Sequence, residues 1–327
     1  MREREPQISY VSALAPYLHQ FVAEKRTLGC KFQTQAAILC PFDRFLAEQE
    51  AASPDLSKPL LEAWMRKRPH ESHSTHQGRI CVARQFCLFL VRRGFRPHVP
   101  DPRLLPRFAR TFVPYVFSYD EIRRLLAAAD QIPRDRRSPQ RHLMFPFIFR
   151  LLYGCGLRIG EALHLQVKDV DAARGVLTIR KAKFCKDRLV PLAPSLAEQL
   201  RRYADACLSA SVPAEFAFPA PDGGPFNHQT IHGIFRRLLW ACGISYRGRG
   251  EGPRLHDLRH TFAVHRLMAW YREGMDMGVA LPILATYLGH DSLSGTQRYL
   301  QLTAEMYPDV VAALQARYGD LIPQKEM

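Results

Sequence analysis

The chain is 327 residues long and 47% hydrophobic, with 46 Lys plus Arg against 31 Asp plus Glu, a formal charge of +15 and a pI near 9.7. This length exceeds the usual single domain, and the apolar content supports a sizeable core, which excludes a disordered chain. The cationic excess points to a polyanionic partner, nucleic acid first and an anionic membrane surface second, with a merely basic protein as the plain alternative.

The opening residues MREREPQISY lack the apolar stretch of a signal peptide. No later apolar run approaches the roughly 18–20 residues of a membrane span. The expected location is therefore the cytoplasm, associated with the nucleoid, with no membrane contact. The first predicted helix carries Val11, Leu14, Leu18, Phe21 and Val22 at helical spacing, with Pro16 marking its start or a kink and Gly29 its end. A second run carries Ala37, Leu39, Phe42, Phe45 and Leu46. A third, introduced by Ser57, spans Leu60 to Arg68. The fourth runs from about His76 to Arg93, with Ile80, Ala83, Phe86, Cys87 and Leu90 inward and Gly94 as a stop. Four helices with short joints imply a small bundle, residues 1–96.

Residues 97–116 read as a linker. The stretch RPHVPDPRLLPRFARTFVP is rich in proline and arginine and has no period, which suits a strap lying along phosphates; an ordinary surface loop is the alternative. Residues 117–327 form the second domain. It opens with Ser118 and Glu121 as a capping box for a helix from Tyr119 to Ala129. Between Gln166 and Leu192 the pattern alternates as strands, VKDVD, GVLTIR and RLVPL, which predicts a small antiparallel sheet. Helices resume near Leu196, after Asn227 and after Arg254. The expected fold class is mainly α with one small antiparallel β-sheet, an α+β architecture. Eight cysteines are scattered without a CxxC pair, so neither a disulfide framework nor a zinc ribbon fits.

Taken singly, the chemically interesting residues are ambiguous. Arg158, in YGCGLRIGEALHLQ, follows two glycines before a helix, a place where backbone N–H groups and a guanidinium can hold a phosphate; a surface arginine is the commoner case. Lys183 lies in RKAKFCKDR between two strands, where a lysine is usually just solvated. His256 and Arg259 sit three apart on one helix face in LHDLRHTFAVHRL, able to hold two oxygens of one phosphate or to bond a carboxylate. His290 follows Gly289 in YLGHDS. Tyr299, in TQRYL, is of a type that more often packs in a core than attacks a substrate.

Together these motifs closely resemble the tyrosine recombinase (phage integrase) family: Arg, Lys, His-x-x-Arg, His and Tyr in that order, in the contexts LRIGEAL, KFCKDRLVPL, HDLRHTFA, LGHDS and TQRYL. The motifs span residues 117–327, while the N-terminal bundle resembles the family's helical, SAM-like core-binding domain by architecture alone. The resemblance implies that Arg158 and Arg259 bind the scissile phosphate, that Lys183 is the strand-turn lysine, that His256 and His290 are the two histidines, and that Tyr299 is the nucleophile. The KDRLVPL strand entry selects Lys183 over Lys181 and Lys186. It implies a recombinase acting on double-stranded DNA sites through a 3′-phosphotyrosyl link, with no metal, nucleotide or other cofactor. It also implies four copies on paired sites, alone or with a related recombinase, in a setting such as a transposon or other mobile element. A type IB topoisomerase-like or telomere-resolving enzyme, and a non-catalytic DNA-binding regulator, are the alternatives. One departure is visible: MAWYREGMDMGVALP, between Arg259 and His290, is longer than is common and suggests an extra loop. Beyond the tyrosine, Tyr307, Val310, Val311, Leu314 and Tyr318 form a helical stripe expected to dock on a neighbouring copy, with packing onto its own catalytic domain as the alternative.

Overall fold

The computed structural model describes residues 9–30, 32–104, 113–180, 187–208, 214–246, 248, 252–290, 292–297 and 299. The calls on Lys183, on part of the linker and on the C-terminal stripe lie outside these residues. The chain divides into two compact units, 1–111 and 112–327.

The first unit consists of α1 (Ala15–Thr27), α2 (Gln33–Glu48), α3 (Lys58–Met65) and α4 (His73–Arg92). Pro16 lies in the first turn of α1, where its missing N–H costs nothing, so the helix starts there rather than kinks. Val11 accordingly lies ahead of the helix and is exposed. The buried Asp43 carboxylate holds this entry by accepting the N–H groups of Val11 and Ser12 at 2.6 and 3.0 Å. On α4 the apolar face buries Ile80, Ala83, Phe86, Cys87 and Leu90. Phe21, Phe42, Phe86 and Trp64 close the core through ring contacts of 5.0–6.1 Å.

The second unit begins with α5 (Tyr119–Asp130). Both halves of its capping box form: the Ser118 hydroxyl accepts Glu121 N–H at 3.1 Å, and the Glu121 carboxylate accepts Ser118 N–H at 2.8 Å. Helix α6 (Arg141–Gly154) is buried almost all round and supplies the core strip from Met144 to Leu152. After it come the short α7 (Ile159–Leu163) and three strands, β1 (Val170–Asp171), β2 (Val176–Ile179) and β3 (Arg188–Pro191). These pair antiparallel in the order β1-β2-β3, with Val176 opposite Pro191 and Ile179 opposite Arg188. Of the VKDVD segment only the last two residues are strand; Val167–Asp169 is a 3-10 turn. Its alternation mimics a strand, but Val167 N–H donates to Glu215 O instead of to a ladder.

The remaining helices are α8 (Pro194–Tyr203), α9 (His228–Ala241), α10 (Asp257–Arg272), α11 (Met277–Leu288) and α12 (Leu293–Gln297). The segment expected to hold an extra loop is mostly helical, with a turn at residues 273–276 between α10 and α11. Leu284 and Leu288 of α11 pack with Phe262 and Leu267 in a small second core that also includes Tyr299. Among the described residues no helix is long and apolar enough to cross a membrane.

Candidate active site

Helix α11 ends at Gly289, whose left-handed φ of 68° lets the chain turn. Gly289 N–H returns to Thr286 O and His290 N–H to Ala285 O, at 3.0 and 2.9 Å, the bond pair of a Schellman motif. The next three carbonyls then need donors from elsewhere, because the last turn of a helix leaves its C=O groups unsatisfied. Three arginines from three different elements supply them. Arg188 Nε donates to Tyr287 O at 3.0 Å, Arg259 Nη2 to Leu288 O at 2.7 Å, and Arg158 Nη2 to Gly289 O at 3.2 Å. The negative end of the helix dipole favours these cations further.

Two residues outside the expected set complete the cluster. Glu161, on the first turn of α7, accepts Arg158 Nη1 at 2.7 Å on one oxygen and Arg158 N–H at 2.9 Å on the other. Arg188 grips the same carboxylate with both terminal nitrogens, at 3.0 and 2.8 Å. Burial pushes the Glu161 carboxyl up, but the hydrogen bonds and charge of Arg188, followed by those of Arg158, outweigh it and hold the pKa at about 2.

Arg259 is 1% exposed. Its Nη1 donates to Gly156 O at 2.6 Å and lies 4.0 Å from Glu161. Burial and the neighbouring Arg158 charge bring its pKa down to about 10, so it stays protonated at neutral pH. Gly156 serves this contact through what it lacks: at φ 60°, an added Cβ would lie 2.6 Å from the Phe262 ring and 2.8 Å from Leu288. The glycine thus brings its carbonyl to the arginine.

His256 occupies the N-cap position of α10 without capping it through its side chain, and Arg259 follows one turn on. Its ring meets that of His260 edge-on at 4.7 Å. Burial first, then His260 and Arg259, lower the His256 pKa to about 4, so the imidazole is neutral at pH 7. The ring that reaches the Tyr299 hydroxyl is that of His260, with Nδ1 at 3.3 Å. His290 stacks near Tyr299, centroids 6.0 Å apart, and bonds Thr296 Oγ1 at 2.8 Å. Tyr299 itself is 2% exposed. Arg158, His256, Arg259, His290 and Tyr299 therefore share one neighbourhood in the second unit. Glu161, Arg188 and His260 were missed, though His260 had a sequence signal: four residues after His256, it must lie on the same helix face.

The depressed His256 pKa has a consequence for stability. In the unfolded chain an imidazole takes its proton near pH 6.5, whereas folded His256 resists protonation down to about 4. Its contribution is thus fully present above about pH 6.5 and lost as pH falls from there towards 4. His256→Gln should flatten the fall of melting temperature across that window in thermal melts between pH 7 and 4; an unaltered fall would assign it to other groups.

Among the described residues no group of three or more His, Cys, Asp or Glu could hold a metal ion. The chain matches the model of the phage integrase family over residues 116–306. It is 34% identical to a putative integrase/recombinase, y4rB, of Sinorhizobium fredii (strain NBRC 101917 / NGR234), over 95% of this chain and 99% of that protein. Among solved structures it resembles the XerH site-specific recombinase bound to palindromic difH substrate in a post-cleavage complex, with a TM-score of 0.65 and 18% identity, covering 90% of this chain and 83% of that one. A lambda integrase tetramer bound to a Holliday junction gives a TM-score of 0.62 at 18% identity, covering 88% and 76%. Both structural likenesses concern the fold.

Proposed function

The chain belongs to the phage integrase family and is a tyrosine-type DNA recombinase, and from that premise we propose that it cleaves and rejoins specific double-stranded sites through a 3′-phosphotyrosyl intermediate, with Tyr299 as nucleophile. The observation that carries this reading is the Tyr299 hydroxyl lying against His260, on the helix that also bears Arg259.

Arg158 and Arg259 bind the nonbridging oxygens of the scissile phosphate and stabilise the charge that grows there during attack. A tyrosine with a pKa near 10 needs an acceptor for its proton, and the neutral imidazole of His256 or the His260 ring beside the hydroxyl supplies one. The Tyr299 oxygen bonds to phosphorus as the bond to the 5′ oxygen breaks. By the family pattern Lys183 gives that leaving oxygen its proton, and His290 stands beside the tyrosine ring, centroids 6.0 Å apart. Attack by the 5′-hydroxyl of another strand reverses the step. One phosphodiester is exchanged for another, so neither nucleotide hydrolysis nor a metal enters the scheme.

In this reading residues 1–96 are a core-binding domain, residues 97–116 a basic strap between the two domains, and residues 117–327 the catalytic domain. The protein acts as four copies on paired sites, alone or with a related recombinase, the tail beyond Tyr299 reaching a neighbouring copy.

A nicked duplex that loses a short strand on cleavage should trap an SDS-resistant adduct in EDTA and without nucleotide, and mass spectrometry should place the DNA on Tyr299. Binding should weaken steeply with salt as counterions are displaced. An adduct on another residue, or one that needs a divalent metal, overturns the reading. Exchange of strands between two duplexes separates a recombinase from a topoisomerase or an end-resolving enzyme.

A further inference from the structure

Three guanidiniums converge on the end of α11, and among the described residues the one carboxylate bonded to them is that of Glu161. We infer that Arg188 is a positioning residue that neutralises Glu161, so that the charges of Arg158 and Arg259 remain available to the phosphate. The inference rests on the reading that those two arginines hold the scissile phosphate.

The geometry divides the labour. Arg188 takes both Glu161 oxygens in a fork at 3.0 and 2.8 Å, whereas the Arg158 side chain reaches only one of them, at 2.7 Å. Arg259 stands 4.0 Å from the carboxylate. The Arg188 and Glu161 side chains are 10% and 8% exposed, so water screens this pair little. With Arg188 present, the pair is neutral and two positive charges face the substrate. Without it, Glu161 pairs with Arg158 and a single uncancelled cation remains. A phosphodiester enters with one negative charge, and its nonbridging oxygens gain more during attack. Losing a cation from the site is therefore felt most in the transition state.

Glu161 is not superfluous, since it orients Arg158 through both the guanidinium and the backbone N–H. Arg188 lets the site keep that orienting carboxylate without its charge. It also fixes the register of β3 against α11 by donating to Tyr287 O. A brace and a charge neutraliser must therefore be told apart by experiment.

Arg188→Met removes the charge at similar volume. It should lower the single-turnover cleavage rate by about 10²-fold or more, while DNA affinity changes by less than about tenfold. Adding Glu161→Gln removes the anion that Arg188 was restraining. The double variant should then cleave at least about tenfold faster than Arg188→Met alone. Arg188→Lys, which keeps the charge and gives up the fork, should stay within about tenfold of the unaltered enzyme.

A brace predicts the opposite pattern. The double variant would be no faster than Arg188→Met, or Arg188→Lys would lose as much as about 10³-fold with DNA binding intact; either result overturns the proposal. The lysine variant keeps the question open to measurement if the methionine variant fails to fold. Failure here is distinct from failure of the phosphate reading, which Arg158 and Arg259 variants test directly.

Discussion

Tyr299→Phe is expected to abolish strand cleavage while leaving affinity for the target duplex within about threefold of the unaltered protein, because the hydroxyl serves bond formation and not binding. The ring is 2% exposed and shares a small core with Phe262, Leu267 and Leu288. Removing one oxygen leaves that packing in place. One contact surrendered is that to His260 Nδ1 at 3.3 Å, long for a hydrogen bond and of small consequence for stability. Thermal melts should accordingly move little. The trapping assay on a nicked duplex gives the decisive reading. An adduct that still forms points to another hydroxyl, with Tyr287 and Tyr153 the first to test, since both lie in the same unit near the α10–α11 packing.

The arginine substitutions should be nearly as severe. Arg158→Ala removes a guanidinium that is partly exposed and held by Glu161 and Gly289 O, and it should slow cleavage by at least about 10³-fold with a modest change in stability. Arg259 calls for a gentler change. Alanine there would leave two buried carbonyls, Gly156 O and Leu288 O, without their donors, and each orphaned group costs about 1–3 kcal/mol. Arg259→Lys keeps a cation and one of the two bonds but loses the fork, so cleavage should fall by about 10²-fold in a protein that still folds. Rapid-quench measurement of single-turnover cleavage, with DNA binding followed separately, checks both. Near-normal rates in both variants would remove these arginines from the phosphate site.

Elements governed by local rules were legible in the sequence. Ser118 and Glu121 form both bonds of their capping box because each partner lies within one turn of the other. The inward face of α4 follows from spacing alone. The motif residues were legible as types in an order that a known family shares, and the structure places five of them in one neighbourhood. What the sequence did not reveal depends on contacts between distant segments. Glu161 and Arg188 stand inside quoted motifs, yet nothing local says that a carboxylate on α7 and a guanidinium on β3, 27 residues apart, will share hydrogen bonds. Asp43 gave no sign either, since its reason for being buried is the backbone of Val11 and Ser12. The VKDVD segment misled for the converse reason: its period-2 pattern is real, but Asp169 is buried to receive Arg180 at 2.6 Å rather than to face a sheet core.

The grip of Arg188, Arg259 and Arg158 on residues 287, 288 and 289 is made entirely to main-chain oxygens, so it reads the path of the chain and not the identity of the side chains there. Substitutions on α11 can therefore pass unnoticed where lengthening it cannot. One residue inserted within the helix rotates every later carbonyl by roughly 100° and advances it by about 1.5 Å, which would break all three contacts at once. The same residue inserted into the turn at 273–276, ahead of the helix, has room to be absorbed before α11 begins. Across relatives of this chain, length variation between the second arginine and the histidine should accordingly gather in that turn, while the stretch from Met277 to His290 keeps a constant count.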